Sequence, residues 1–273
     1  MEFTDVDVTE IIFQERLAKR DYCMVFLVAI RGTACVMKVH HGQGPKQPWD
    51  SQIRETNIFI CESTAYRRLT HTGVCARGIT PQFYGTIENI NPTQCLPHLQ
   101  AFVKDEYLPT AILLEYIPKM KELDWTNYNE KRMQNFVDGL NTIHDALVYH
   151  DDVHPRNMMI VEGDPERAIW IDFDRSQTFN GELTERQKEW IVFEKKLMAE
   201  MAEFMKHDFL KGEFDKTLEA PATNLRDEIE LALREDGLSG KVDNWLTLAV
   251  TSYITLPPKT AGSKARRLSK VQT

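Results

Sequence analysis

The sequence predicts an α+β fold, with a five-stranded antiparallel sheet and one helix over residues 1–117 and a mainly helical part over 118–256. Three observations predict it. Two runs rich in apolar and β-branched residues, 22–31 and 34–40, flank a Gly32-Thr33 turn, which is the pattern of a hairpin. Apolar residues recur at three- and four-residue steps over 50–69 and again over 129–147, the period of a helix buried on one face. Glycines, prolines and short polar residues gather at 41–49, 89–109 and 162–167, where elements must end.

In chain order, Glu10–Leu17 reads as the first strand and Ala18–Asp21 as a polar turn. Tyr22–Arg31 and Ala34–His40 complete a three-stranded meander, with Lys38 inside its last strand. A helix is predicted over 50–69; Asp50 or Ser51 can cap it, and Ile58, Phe59, Glu62, Tyr66 and Leu69 share its stripe. Pro81–Glu88 and Ala111–Tyr116 supply the last two strands, separated by a loop with three prolines. Asn129–Leu147 is an amphipathic helix with Met133, Phe136, Val137, Leu140, Ile143 and Leu147 on one face. Met158–Val161 and Ala168–Ile171 flank a turn-rich tip, and helices are expected over 184–210, 222–235 and 242–253. The basic, polar tail from Pro257 has the composition of a disordered segment.

At 273 residues and 42% hydrophobic content the chain can bury a core. Its net charge of −8 argues against a general nucleic-acid binder, whose footprint is basic. Five widely spaced cysteines without a CxxC pair fit a reduced, cytoplasmic setting and suggest neither zinc nor disulfides. The acidic start lacks a secretory leader and no apolar run is long enough to span a bilayer, so no membrane partner is expected.

The most informative stretch is His150-Asp-Asp-Val-His-Pro-Arg-Asn157, followed by an apolar hairpin and Ile171-Asp-Phe-Asp174. Phosphoryl transfer needs a carboxylate beside the attacking hydroxyl and oxygen ligands that hold Mg²⁺ against the phosphates. Asp152, Asn157 and Asp172 are residues of the right type for those roles.

With these residues the chain resembles, over roughly 10–255, the protein-kinase-like superfamily, closest in style to the aminoglycoside and choline type of small-molecule kinases. The resemblance implies a two-lobed fold with a reduced helical second lobe, and ATP and Mg²⁺ as cofactors. The family's spacing, an acid five residues before an amide, selects Asp152 over Asp151 as the catalytic carboxylate. It makes Asn157 and Asp172 the metal ligands and His150 the histidine supporting the loop. It also implies that Lys38 binds phosphates and pairs with Glu62. Read from the residues alone, Lys38 could instead face water on an edge strand, and Glu55 competes with Glu62 as its partner. The segment Leu113–Ile117 resembles the adenine-binding hinge, with Leu114 at the gatekeeper position and the main chain of Glu115 and Ile117 facing the base. A plain strand end would carry the same side chains. His154, two residues after Asp152, resembles the small-molecule kinases more than protein kinases, although it could merely pack beneath the loop.

Two features depart from the family. No glycine-rich turn lies in Arg16–Tyr22, so the phosphate contact must be looser or supplied by Lys19 and Arg20, and Asp174 stands where a glycine is usual. The expected function is ATP/Mg-dependent phosphorylation of a hydroxyl on a small molecule. The alternative is a pseudokinase that binds nucleotide or a protein partner and transfers nothing. An atypical protein kinase comes third, because only about a dozen residues separate Asp172 from the helix near Thr184.

Overall fold

The computed structural model describes residues 3–48, 50–51 and 53–213, all within one compact unit, Met1–Thr217. The helices expected over 222–235 and 242–253, and the tail from Pro257, lie outside the described residues. The fold is α+β. Three strands open it as a meander: β1 (Ile11–Lys19), β2 (Cys23–Ile30) and β3 (Thr33–His40). After α1 (Ile58–His71) come β4 (Phe83–Ile87) and β5 (Thr110–Glu115), which give a five-stranded antiparallel sheet of order β1-β2-β3-β5-β4. The remaining elements are β6 (Met120–Glu122), α2 (Glu130–Asp145), β7 (Val148–Tyr149), β8 (Met158–Val161), β9 (Asp164–Trp170), β10 (Gln177–Thr178) and α3 (Glu185–Lys211). Strands β6, β8 and β9 form a small sheet, and β7 pairs with β10.

Several boundaries differ from the sequence expectation. The β2–β3 turn is Arg31-Gly32, not Gly32-Thr33, since Thr33 opens β3 opposite Ile30, and the helix expected over 129–147 ends at Asp145. The helix predicted over 50–69 begins only at Ile58, and neither Asp50 nor Ser51 caps it; the Asn57 side chain does, accepting from the amides of Phe59 and Ile60. The turn between β1 and β2 is three residues, Arg20–Tyr22, because β1 runs on to Lys19 through two register shifts. The tip between β8 and β9 shrinks to Glu162-Gly163, where Gly163 takes a left-handed φ of 91° open to glycine without strain. Strand β9 therefore contains Pro165, tolerated because β9 is the edge strand of the β6-β8-β9 sheet among the described residues.

The period-two alternation of the sheet divides its side chains between two cores. Met24, Phe26, Val28, Ile30, Cys35, Met37, Val39, Ala111 and Leu113 enter one, which the 89–109 loop covers with Ile90, Cys95, Leu99 and Phe102. The other face contributes Ile112 and Leu114 to a larger cluster. That cluster also takes Ala65, Tyr66 and Leu69 of α1, Met133, Phe136, Leu140 and Ile143 of α2, and Met198 and Met205 of α3. It crosses residue 117, so sheet and helices share one interior. Gly139 brings α2 close to β9: a Cβ there would meet Trp170 at 3.3 Å. No helix among the described residues is long and apolar enough to cross a membrane.

Candidate functional site

Strand β3 turns Lys38 and His40 toward α1, opposite to Cys35, Met37 and Val39. Lys38 lies in a central strand, across from Val25 of β2 and Ile112 of β5, so it is not an edge residue facing water. Its Nζ sits 2.7 Å from Glu62 Oε2, 2.5 Å from Asp172 Oδ1 and 3.8 Å from Asp174 Oδ2. Glu55 is engaged elsewhere: its Oε1 accepts from the amides of Thr56 and Asn57 at 2.8 Å, fixing the chain ahead of α1. Behind Glu62 stands the buried His40, with Nε2 at 3.2 Å, a polar contact without hydrogen-bond geometry. Burial lowers the His40 pKa against the pull of Glu62, which favours a neutral ring.

One ammonium therefore meets three carboxylates. Burial opposes the charge on Lys38, but Asp172, Glu62 and Asp174 overturn that and hold its pKa well above the ordinary value. Burial would likewise raise Asp172, yet Lys38, by charge and by hydrogen bond, drives it well below the usual carboxylate range. Asp172 keeps a fifth of its side chain exposed and is crowded by protein on its other sides. Asp174 goes the other way. Burial pushes it up to about 7; Lys38 opposes this, while Asp172, Glu62 and Asp152 add to it. The negative charge in this cleft exceeds what Lys38 can balance.

The loop from His150 to Asn157 meets the same cleft. Asn157 donates through Nδ2 to the Asp152 carbonyl at 2.9 Å and to Asp152 Oδ2 at 2.8 Å. That orientation leaves its Oδ1 as an acceptor. Asp152 is 4% exposed and also accepts from Arg156 Nη2, 2.8 Å from each carboxylate oxygen. The two segments are sewn together. The Ile171 amide donates to the Asn157 carbonyl at 3.1 Å, and His150 Nε2 donates to the Ile171 carbonyl at 3.1 Å. Phe173 packs on the His150 ring at 4.6 Å and edge-on to Tyr66 of α1 at 5.2 Å, which anchors the neighbouring Asp172. Asp151 and Asp172 both take left-handed φ values, 62° and 67°, the kind of local strain that persists where surroundings over-determine it.

Sequence reasoning missed the residue that holds this loop from below. Glu194 of α3, 1% exposed, accepts from the His150 amide at 3.1 Å and the Asp151 amide at 2.6 Å. Its other close partner is His144 Nε2, at 2.6 Å. The signal was present: the buried positions of α3 are Glu194, Met198, Met201, Met205 and Asp208, a stripe in which an acid stands among methionines. Arg156 and His40 were also missed as partners of Asp152 and Glu62. His154 is half-buried and accepts from the Arg156 amide through Nδ1 at 3.2 Å. Burial, with Arg156 second, lowers its pKa to about 4, against the pull of Asp152.

Of the expected hinge residues, Leu114 packs into the cluster on the helix-facing side of the sheet. Leu114 and Ile117 are buried, while Glu115 turns its carboxylate to the Gln82 amide at 3.1 Å. Arg20, in the glycine-free β1–β2 turn, is close enough to lower the Asp172 pKa. Among the described residues no three His, Cys, Asp or Glu side chains form a ready-made metal cage. Two carboxylates and an amide oxygen, in a cleft with surplus negative charge, nevertheless fit Mg²⁺, which keeps waters and binds through one or two acids plus phosphates. Cavities of about 440 and 400 Å³ lie elsewhere, by the N-terminal end of α2 and by that of α1.

No protein-family model matches this sequence, and no curated protein matches it.

Proposed function

We propose that this chain is a two-lobed, protein-kinase-like phosphotransferase that uses ATP and Mg²⁺ to phosphorylate a hydroxyl group on a small molecule. One observation carries the reading. Lys38, Glu62 and Asp172, from β3, α1 and the segment after β9, meet within 2.7 Å of one ammonium, and Asp152 and Asn157 are hydrogen-bonded beside them.

Lys38 would hold the α- and β-phosphates, with Glu62 fixing its position from below. Asn157 Oδ1 and the carboxylates of Asp172 and Asp174 would hold the metal, and the main chain of Glu115 and Ile117, next to Leu114, would meet the adenine. Mg²⁺, when bound, supplies neutralisation of the phosphate oxygens, and ATP supplies the transferred group. Asp152 would orient the acceptor hydroxyl and accept its proton. His150 keeps Asp152 and Asp172 in register through the Ile171 carbonyl. Arg20 and Lys19 would take the phosphate contact that glycines make elsewhere. Most of the rate gain in such a site comes from positioning and charge stabilisation.

The test is magnesium-dependent ATP consumption with a library of hydroxyl-bearing acceptors. Asp152→Ala and Asp172→Ala should each lower turnover on the order of a hundredfold or more, as loss of one electrostatic stabiliser does. Full phosphotransfer by both variants would falsify the roles given to them.

A second reading, a nucleotide- or partner-binding module without transfer, is favoured by Arg156, which occupies both oxygens of Asp152. Binding of ATP with Mg²⁺ and no turnover on any acceptor, by wild type and by Arg156→Ala alike, would select it.

A further inference from the structure

Beside the N-terminal end of α2 lies a cavity of about 440 Å³ whose polar lining comes from Lys121, Asn127, Tyr128, Asn129, Arg132 and Glu162. It is separate from the cleft of Lys38 and Asp172. Its chemistry is set by Arg132, only 8% exposed. Nη1 of Arg132 donates to the Asn127 carbonyl at 2.6 Å, whereas Nε is shut away from solvent with no acceptor in reach. Asp164 is felt by this guanidinium only as a more distant charge, and burial lowers its pKa.

The contrast with other shielded cations is informative. Lys38 has Glu62 and Asp172, Arg54 has Asp151, and Arg156 has Asp152. A buried charge is normally paired, because leaving water without a counter-charge is unfavourable. Arg132 has no acid within ion-pair distance among the described residues. The end of α2 itself adds little, because the Asn129 side chain accepts from the Arg132 amide and Glu130 brings an acid to the first turn, paired with Lys206. At the rim, Lys121 reaches Glu162 at 3.0 Å in an exposed pair, a contact that an incoming anion can replace.

We propose that this cavity binds a small molecule through an oxyanion, a phosphate or carboxylate group, held by the Arg132 guanidinium at the N-terminus of α2 with Lys121 at its mouth. With Nη1 on the Asn127 carbonyl and Nε closed off from solvent, Nη2 is the nitrogen that would donate to either group. The site is independent of the proposed phosphotransfer and stands or falls without it.

The test is a titration of the ¹⁵N-labelled full chain with sodium phosphate and, separately, sodium acetate at constant ionic strength. The Arg132 Nε–H and Tyr128 amide resonances are the reporters. Both should move and saturate. Saturation by phosphate alone assigns a phosphate-bearing ligand, and saturation by both assigns oxyanions generally. Arg132→Met should abolish the Tyr128 response, and Arg132→Lys should weaken it on the order of tenfold, because one ammonium cannot hold the Asn127 carbonyl and the anion in the geometry of a guanidinium. If Arg132→Met fails to fold, the Nε–H resonance of the wild type and the Arg132→Lys titration decide alone. Sodium chloride moving the resonances as far as phosphate does, no saturation with either anion, or an unchanged Tyr128 response in Arg132→Met would each overturn the proposal.

Discussion

Glu194 shows how one side chain can organise a loop it does not belong to. Two backbone amides and an imidazole converge on a carboxylate that water barely reaches. Removing it leaves those groups buried and unsatisfied. Glu194→Ala is therefore expected to destabilise the fold by about 3 kcal/mol or more in urea unfolding. A loss below roughly 1 kcal/mol would mean that water or another side chain replaces it. Glu194→Gln keeps the shape and one acceptor oxygen, so it should fall between the two. At the same scale, the left-handed backbone of Asp172 is held by what its side chain does, since Lys38 and the packing of Phe173 fix it from both sides.

The element that most corrects the sequence reading is α1. The sequence reading starts it at residue 50, but the apolar stripe begins only at Ile58 and the helix starts where Asn57 can cap it. The preceding residues are used otherwise: Arg54 pairs with Asp151 and stacks over Trp190, while Glu55 exchanges hydrogen bonds with Gln177 through its backbone. Asn57→Ala should lower stability by about 1 kcal/mol, the usual consequence of losing an N-cap, whereas Ser51→Ala should leave the helix unchanged. Equal effects in thermal unfolding of the two variants would return the helix start to the earlier position.

The short helical turn Val8–Glu10, just before β1, offers a second test at this scale. Glu10 binds Arg31 of the β2–β3 turn at 2.7 Å, and that hydrogen bond, with one from the Asp7 amide, lowers its pKa from 4.5 to about 2. A depressed carboxyl stabilises the fold above its unfolded pKa and ceases to do so as pH falls through the folded one. Wild type should therefore melt above Glu10→Gln at pH 7, with the gap closing between about pH 4.5 and 2. A gap that persists unchanged at pH 2 would rule out this ion pair as its cause.

At the scale of the whole described unit, the decisive feature is the apolar cluster that joins the inner face of the sheet to α1, α2 and α3. Sheet and helices bury the same atoms, so they should unfold together. Phe136, fully buried with its ring edge-on to Trp170 at 5.8 Å, lies in the middle of that cluster. Phe136→Ala should cost about 3–5 kcal/mol. Under native-state hydrogen exchange it should lower the protection of the slowest amides in β3 and in α2 by the same amount. Loss confined to α2 would show that the two parts open independently.

Much of this was legible in the chain. The apolar, β-branched runs foretell the meander, although the turn between them falls at Arg31-Gly32 rather than Gly32-Thr33, and Lys38 in an apolar run demands an acid partner. The spacing of Asp152, Asn157 and Asp172 marks the segment that meets it. These are local signals, because strand period, turn chemistry and residue type act within a few positions. What the linear order does not contain is which distant group satisfies which. Glu62 rather than Glu55 faces Lys38 because the cap at Asn57 sets the phase of α1. Arg156 reaches Asp152 and Glu194 reaches the His150 amide because loop and helix pack on one core. Arg132 has no acid within ion-pair distance among the described residues, which the order of residues does not foretell. Residue types and their periodicity are properties of the chain. Charge pairing and burial depend on distances across the fold, and only the packed structure decides them.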